Sequence, residues 1–134
     1  MNSASVKNYL KEQKIALIIP TYNNDQTIAS VVREAIEYCE DVIVVNDGST
    51  DQTDQLLAEF SQHIHYVNYT PNKGKGHALK KGFEMVEKLQ LEAAITLDSD
   101  GQHKLTDLPL FVEAHKKNPD ALIIGSRSFD NPNM

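Results

Sequence analysis

Several short runs of this chain are apolar at almost every position, and the stretches between them are apolar at every third or fourth. IALII (15–19), closed by Pro20, and VIVVN (42–46) have the form of strands buried on both faces. AAITL (93–97) and ALIIG (121–125) repeat that form, while IHYVNY, in the 63–69 region, alternates as a strand near an edge does. Ile28, Val31, Val32, Ala35, Ile36 and Cys39 recur at helical spacing and predict a helix over 25–39. Leu56, Leu57 and Phe60 give an apolar side to a helix entered through DGSTDQ, where Ser49 and Gln52 stand at capping-box spacing. Leu79, Phe83, Val86 and Leu89 predict a helix from about 77 to 90, with Gly82 on the same face, where the helix packs closely on a neighbour. Leu108, Phe111, Val112 and His115 mark one more, with Thr106 as its N-cap. Residues 1–13 read as a polar tail or a short helix.

Strands alternating with helices predict βαβ units: an α/β, Rossmann-like domain over 14–128, with a mostly parallel sheet covered by helices on both faces and a short tail over 129–134. In such sheets ligands bind beyond the carboxyl ends of the strands. The unusual residues cluster there. Pro20, Thr21, Tyr22 and Asn23 follow the first strand, and Asp47 and Gly48 the second. The glycine loop NKGKG, with Lys73, Lys75 and Gly76, follows the third. Asp98, Ser99 and Asp100 follow the fourth, and Arg127, in GSR, the fifth. Loops are polar anyway, which accounts for any one exit but less well for the joint set of Asp47, Asp98, Asp100, Lys73, Lys75 and Arg127.

Composition narrows the choice. The chain has 134 residues, 40% hydrophobic and 24% charged, enough for one globular domain with a real core. A net charge of −6 argues against a nucleic-acid partner, whose phosphates need a basic surface. The single cysteine, Cys39, rules out an intrachain disulfide and reads as a buried core thiol. MNSASVKNYLKEQK holds no apolar leader segment, and no apolar run is long enough to span a membrane, so a reducing cytoplasm fits best.

The chemistry centres on TLDSDGQH (96–103). Residues i and i+2 of an extended chain point the same way, so Asp98 and Asp100 converge and repel unless a positive charge lies between them. A hard divalent cation, Mg²⁺ or Mn²⁺, takes such carboxylates and leaves positions for substrate phosphates. The alternative is turn chemistry, since Asp and Gly favour tight turns with no metal. An EF-hand loop is excluded, because its glycine comes two positions later and its closing glutamate is missing. In NKGKG, glycines let backbone amides approach an anion and two lysines neutralise it; the alternative is a flexible exposed turn. The spacing is not that of a Walker loop.

Taken together and in order, IIPTYNN, VNDGSTD, NKGKGHALKKGF, TLDSDGQH and GSR resemble the nucleotide-sugar-binding half of inverting family 2 glycosyltransferases, of GT-A fold. The DSDGQH and GSR forms are most similar to the branch with dolichol-phosphate mannose synthases and polyprenyl-phosphate glycosyltransferases. The resemblance covers residues 14 to 128. It implies that Pro20, Tyr22 and Asp47 line a nucleobase pocket, Tyr22 by stacking and Asp47 by accepting from a ring N–H. Lys75 would lie in the glycine loop of the donor site. Asp98 and Asp100 would form the DxD metal motif, with Gln102 a further metal contact, and Arg127 would face an acceptor phosphate. His103 reads as supporting structure. Where many relatives have glutamate after Tyr-Asn, this chain has Asn24 and then Asp25. The implied reaction is displacement of a nucleoside diphosphate at the anomeric carbon by an acceptor oxygen, with inversion. The bound cation would stabilise charge on the departing diphosphate.

The family's pattern continues well beyond GSR, with an acceptor-binding half and a carboxylate base, whereas this sequence stops at FDNPNM. No residue after Asp100 stands out as that base: Asp107 and Glu113 fall in a helix, and Asp120 and Asp130 lack the context. The expectation is a fragment of a longer enzyme or a donor-binding chain, peripheral to a membrane in the full-length protein. Its acceptor would be a lipid phosphate or a saccharide, and an uncovered sheet would favour self-association. Two other classes compete. A non-catalytic nucleotide-binding module would bind without turnover. A haloacid-dehalogenase-type phosphatase also uses DxDG after a strand, but near its N-terminus and before a long downstream domain.

Overall fold

The computed structural model describes residues 2–99 and 105–118. The chain runs α1 (Ser3–Glu12), β1 (Ile15–Thr21), α2 (Ile28–Tyr38), β2 (Val42–Asp47), α3 (Thr53–Ala58) and β3 (His65–Tyr69). It continues through α4 (Lys75–Lys88), β4 (Ala93–Thr96), a 3₁₀ turn (Leu105–Asp107) and α5 (Leu108–Lys117). The four strands form one sheet in the order β3-β2-β1-β4, every pair parallel. The expected fifth strand, 121–125, lies outside the described residues.

β1 and β2 are buried at every position because both of their faces are covered. Their side chains alternate between two cores. Ile15, Leu17, Ile19, Val42 and Val44 pack with Val6 and Leu10 of α1, Val32 of α2, and Phe111 and Val112 of α5. Ala16, Ile18, Ile43 and Val45 face Ala78 and Val86 of α4. β3, at the edge, is only partly buried, as its alternation predicts. Of the two readings of residues 1–13, the structure has the helix: Asn2 caps it by accepting from the Ser5 amide at 2.8 Å, and Val6 and Leu10 are fully buried.

Several local expectations are corrected. β1 does not close at Pro20 but runs through Thr21. The β4 ladder ends at the Ile18–Thr96 pair, so the amide that proline lacks is missing where β1 pairs only with β2. α2 begins at Ile28 rather than 25, and Cys39 sits one residue past its end, in extended backbone yet buried. Burial, more than any neighbouring group, pushes the Cys39 thiol up to about 12. Ser49 and Gln52 do not form a capping box. The Ser49 hydroxyl takes the Asn23 amide at 2.9 Å, and Asp51 accepts the Thr53 amide at 2.9 Å. Thr106 lies inside the 3₁₀ turn, and Asp107 holds the N-cap position of α5.

Phe83 is 46% exposed, outside the α4 core face assigned to it. The buried face of α4 runs through Ala78, Gly82 and Val86. These small residues bring the helix so near the sheet that a Cβ on Gly82 would lie 2.6 Å from Ile18 Cγ2. The close approach expected at Gly82 is therefore present.

The strand order places a topological switch beside β1, since the chain moves outward from β1 to β2 and β3 and then returns to β4 on the opposite side. In open α/β sheets such a switch point, at the carboxyl ends of the strands, is where ligand crevices form.

Candidate functional site

Four loops meet at that crevice, and side chains rather than backbone ladders tie them together. The loop after β1 is joined to the loop after β2 by Asn23. Its amide carbonyl accepts from the Thr50 amide at 2.7 Å and the Asp51 amide at 3.3 Å. Asn23 has φ 51°, a left-handed conformation that asparagine tolerates better than most residues. Asp51 accepts the Asp25 amide at 3.2 Å, which adds a second bond across the same gap. Burial raises the Asp51 pKa, but hydrogen bonds from Thr53 and Asp25 outweigh it and hold the carboxyl below its ordinary value.

The loop after β4 is tied to the loop after β1. Asn24 Nδ2 donates to Ser99 Oγ at 2.5 Å, and the Thr27 hydroxyl donates to the Ser99 carbonyl at 2.6 Å. Ser99 is buried, and these bonds fix the chain immediately after Asp98. Asn24 thus has a structural partner in Ser99.

The glycine loop is anchored on Asp47. This buried carboxylate accepts the Lys73 amide at 2.8 Å and the Tyr69 hydroxyl at 2.6 Å on Oδ1, and the Gly74 amide at 2.9 Å on Oδ2. Three donors replace the water that burial removes. Burial, with the Asp47 carboxylate alongside, pushes the Tyr69 phenol well above its ordinary value, so it stays a donor. Beside this anchor Gly48 has φ +69°, and a Cβ there would sit 2.3 Å from the Asn72 backbone nitrogen. Only glycine lets the two loops lie this close.

Lys75 opens α4 and reaches across the crevice, its ammonium 2.7 Å from Asp98 Oδ1. The carboxylate at the end of β4 therefore already holds a cationic group. Pro20 and Thr21 are buried in β1, while Tyr22 stands 44% exposed at its exit, an accessible aromatic face. Thr21 Oγ1 is buried and, among the described residues, has no hydrogen-bond partner. Gly76 has open space where a Cβ would be. Asp100, Gln102, His103 and Arg127 lie outside the described residues. Among the described residues no group of three or more His, Cys, Asp or Glu could hold a metal ion. Of the three expected metal-holding residues only Asp98 is described; its carboxylate, a hard oxygen donor paired with the Lys75 ammonium, is of the kind that Mg²⁺ or Mn²⁺ takes.

The structure thus brings Pro20, Thr21, Tyr22, Asn23, Asp47, Gly48, Lys75, Gly76, Asp98 and Ser99 to one end of the sheet. Asn24, Thr27, Asp51 and Tyr69 join them as residues that sequence reasoning did not assign. Of these only Tyr69, an aromatic closing an edge strand, carried a local signal.

Residues 16–133 match the model of glycosyl transferase family 2. The chain belongs to this family. Among family 2 relatives, a dolichyl-phosphate beta-glucosyltransferase of Trichomonas vaginalis is 31% identical over 134 residues, covering 87% of this chain and 40% of that protein. The polyprenol monophosphomannose synthase of Mycolicibacterium smegmatis is 31% identical over 121 residues, covering 86% of this chain and 45% of the relative. The chain spans about half the length, or less, of the curated relatives it matches. Among solved structures, glucosyl-3-phosphoglycerate synthase from Mycobacterium tuberculosis in complex with UDP superimposes with a TM-score of 0.55 at 21% identity. That match covers 84% of this chain and 42% of the other. S. aureus TarS 1-349 in complex with UDP gives 0.55 at 24% identity, covering 76% and 32%. These likenesses show a GT-A fold. The mycobacterial synthase has also been crystallised with UDP and Mn²⁺ or Mg²⁺. Family 2 membership removes the phosphatase alternative. No helix among the described residues is long and apolar enough to cross a membrane.

Proposed function

We propose that this chain binds the donor of a glycosyltransferase, a nucleoside diphosphate sugar, across the carboxyl ends of β1, β2 and β4. Tyr22 stacks on the base, and Asp47 accepts its ring N–H. The glycine loop, with Lys75, holds the diphosphate. Asp98, Asp100 and Gln102 hold a Mg²⁺ or Mn²⁺ ion, which supplies Lewis-acid stabilisation of the leaving diphosphate when bound. The acceptor is a phosphate of a polyprenyl or dolichyl lipid, the chemistry named in the relatives, and Arg127 faces it. Transfer inverts the anomeric carbon, and the protein works at a membrane surface from the cytoplasmic side. An anionic acceptor oxygen needs no residue to remove a proton.

The observation that carries this reading is the pairing of two elements at one sheet end. A glycine loop is pinned by a buried carboxylate, and Lys75 bridges from that loop to Asp98 at 2.7 Å. The bridge brings the glycine loop and the Asp98 carboxylate within one side chain's reach, which supports a diphosphate and a cation held side by side. The test is thermal unfolding with UDP, GDP or ADP, each with and without Mn²⁺. A ligand at 100 times its dissociation constant stabilises the fold by about 2.7 kcal/mol. Metal-dependent stabilisation by a nucleoside diphosphate, abolished in Asp98→Ala, is expected. No stabilisation by any of the three would sink the proposal, and stabilisation without glycosyl transfer would favour the non-catalytic module.

A further inference from the structure

A carboxylate offers about four acceptor positions, two on each oxygen. On Asp47 three are taken by this chain. Oδ1 receives both the Tyr69 hydroxyl and the Lys73 amide, and Oδ2 receives the Gly74 amide. Oδ1 is full, and one position remains, on Oδ2. The three bonds are not readily exchanged. Asp47 is 4% exposed, and two of the donors are backbone amides of a loop wedged against Gly48. The third comes from Tyr69, the last residue of β3, paired in register with Asp47 itself. His77 of α4 braces the Tyr69 ring edge-on, with centroids 5.2 Å apart.

Resting on the proposal that Asp47 accepts from the donor's base, we infer that Tyr69 is a specificity-determining residue that limits Asp47 to a single base donor. Guanine presents two neighbouring donors, its ring N1–H and its exocyclic amine, and a fork of that kind needs one acceptor on each carboxylate oxygen. With Oδ1 full, the second donor has no acceptor and would be desolvated without compensation. A base that presents one ring N–H, such as uracil, satisfies the remaining position and leaves nothing unpaired. The site therefore selects uridine over guanosine diphosphates. The residue that sets the choice is one that does not itself touch the base.

The experiment is calorimetric titration of the intact chain, in Mn²⁺, with UDP, GDP and IDP. IDP is GDP without the exocyclic amine, so the GDP/IDP ratio isolates the second donor. In the unmodified chain UDP should bind at least tenfold more tightly than GDP, and GDP no more tightly than IDP. Tyr69→Phe frees one position on Oδ1 and keeps the ring against His77. It should raise the preference for GDP over IDP roughly tenfold, the worth of one added charge-assisted hydrogen bond. A general loosening of the loop would weaken GDP and IDP alike and leave their ratio unmoved. An unchanged ratio in Tyr69→Phe, or a strong preference for GDP over IDP already in the unmodified chain, would overturn the inference while the donor-site proposal stands. Failure of all three nucleotides to bind would overturn both. The comparison in the unmodified chain is decisive even if the variant does not fold.

Discussion

Replacing Gly48 with alanine perturbs the contact on which the anchored loop depends. Two costs follow from the geometry. Gly48 has φ +69°, a conformation that costs a residue with a Cβ about 1–2 kcal/mol. The added methyl would also stand 2.3 Å from the Asn72 nitrogen, 2.6 Å from the Pro71 carbonyl carbon and 2.7 Å from the Asn72 Cα. All three are backbone atoms, so no rotamer change relieves the clash, and the loop must retreat by about 1 Å to reach ordinary contact. Overpacking of this kind typically costs about 1–3 kcal/mol. The same retreat pulls the Lys73 and Gly74 amides away from Asp47. We expect a loss of about 2–4 kcal/mol, a fall in melting temperature of roughly 10 °C for a domain of this size, and loss of nucleotide-dependent stabilisation. The assay is urea unfolding with and without UDP and Mn²⁺. Gly76→Ala is the control: nothing lies within 4 Å of its Cβ position, and alanine in the first turn of α4 should be neutral or stabilise by up to about 1 kcal/mol. A Gly48→Ala chain within about 0.5 kcal/mol of the unmodified one would refute the packing argument. Lost stability with undiminished nucleotide binding would refute the claim that this contact shapes the site.

Gly82→Ala sets helix propensity against packing. Alanine gains up to about 1 kcal/mol in the helix, but its methyl meets Ile18 Cγ2 at 2.6 Å, so a net loss of about 1–2 kcal/mol is expected. In an Ile18→Ala background the sign should reverse, as a double-mutant cycle in urea would read. The Asp51 carboxyl titrates lower folded than unfolded, so its contribution is whole above the unfolded carboxylate range and disappears as pH falls through the folded value. Asp51→Asn should therefore flatten the acid limb of the stability profile below about pH 4 and leave its neutral slope unchanged. Burial holds the Cys39 thiol protonated up to about 12, so a disulfide reagent at pH 8 should modify it only as fast as the domain unfolds. Rapid native-state labelling would contradict the burial.

What was legible in the chain was what local pattern controls. β1 and β2 announce themselves because both faces are covered and every position must be apolar. Gly82 was legible because a glycine on an apolar helical stripe has few other uses, and His115 fell on the predicted α5 stripe, where its ring stacks on Phe111. The errors have a common cause. Ser49 has capping chemistry, but a distant backbone amide, that of Asn23, claims its hydroxyl, and Asp51 takes over the helix entrance. Phe83 has the spacing of a core residue, but the face with the smallest side chains approaches the sheet and turns Phe83 outward. At the candidate site, motif and position singled out Asp47, Lys75 and Asp98, yet gave no sign of what holds them. Asn24 reaches Ser99 across 75 positions of sequence, and Tyr69 reaches Asp47 across 22. Periodicity carries no trace of such pairings, which exist only once the sheet brings its strand ends together.

The two halves of the site differ in stiffness, and the difference follows from their surroundings. Asp47 is buried and triply bonded, so any rearrangement there would strand a desolvated charge or amide. The Lys75–Asp98 pair is 43% and 20% exposed, and an ion pair so wetted contributes on the order of 0–1 kcal/mol. Exchanging it for a diphosphate on Lys75 and a divalent ion on Asp98 sacrifices little. On the proposed function the base would be read by a preformed acceptor, while Lys75, which rests on Asp98, would turn to the diphosphate as the donor enters. Selectivity for the base then resides in groups that do not move, and the cost of admitting the diphosphate falls on a contact cheap to break.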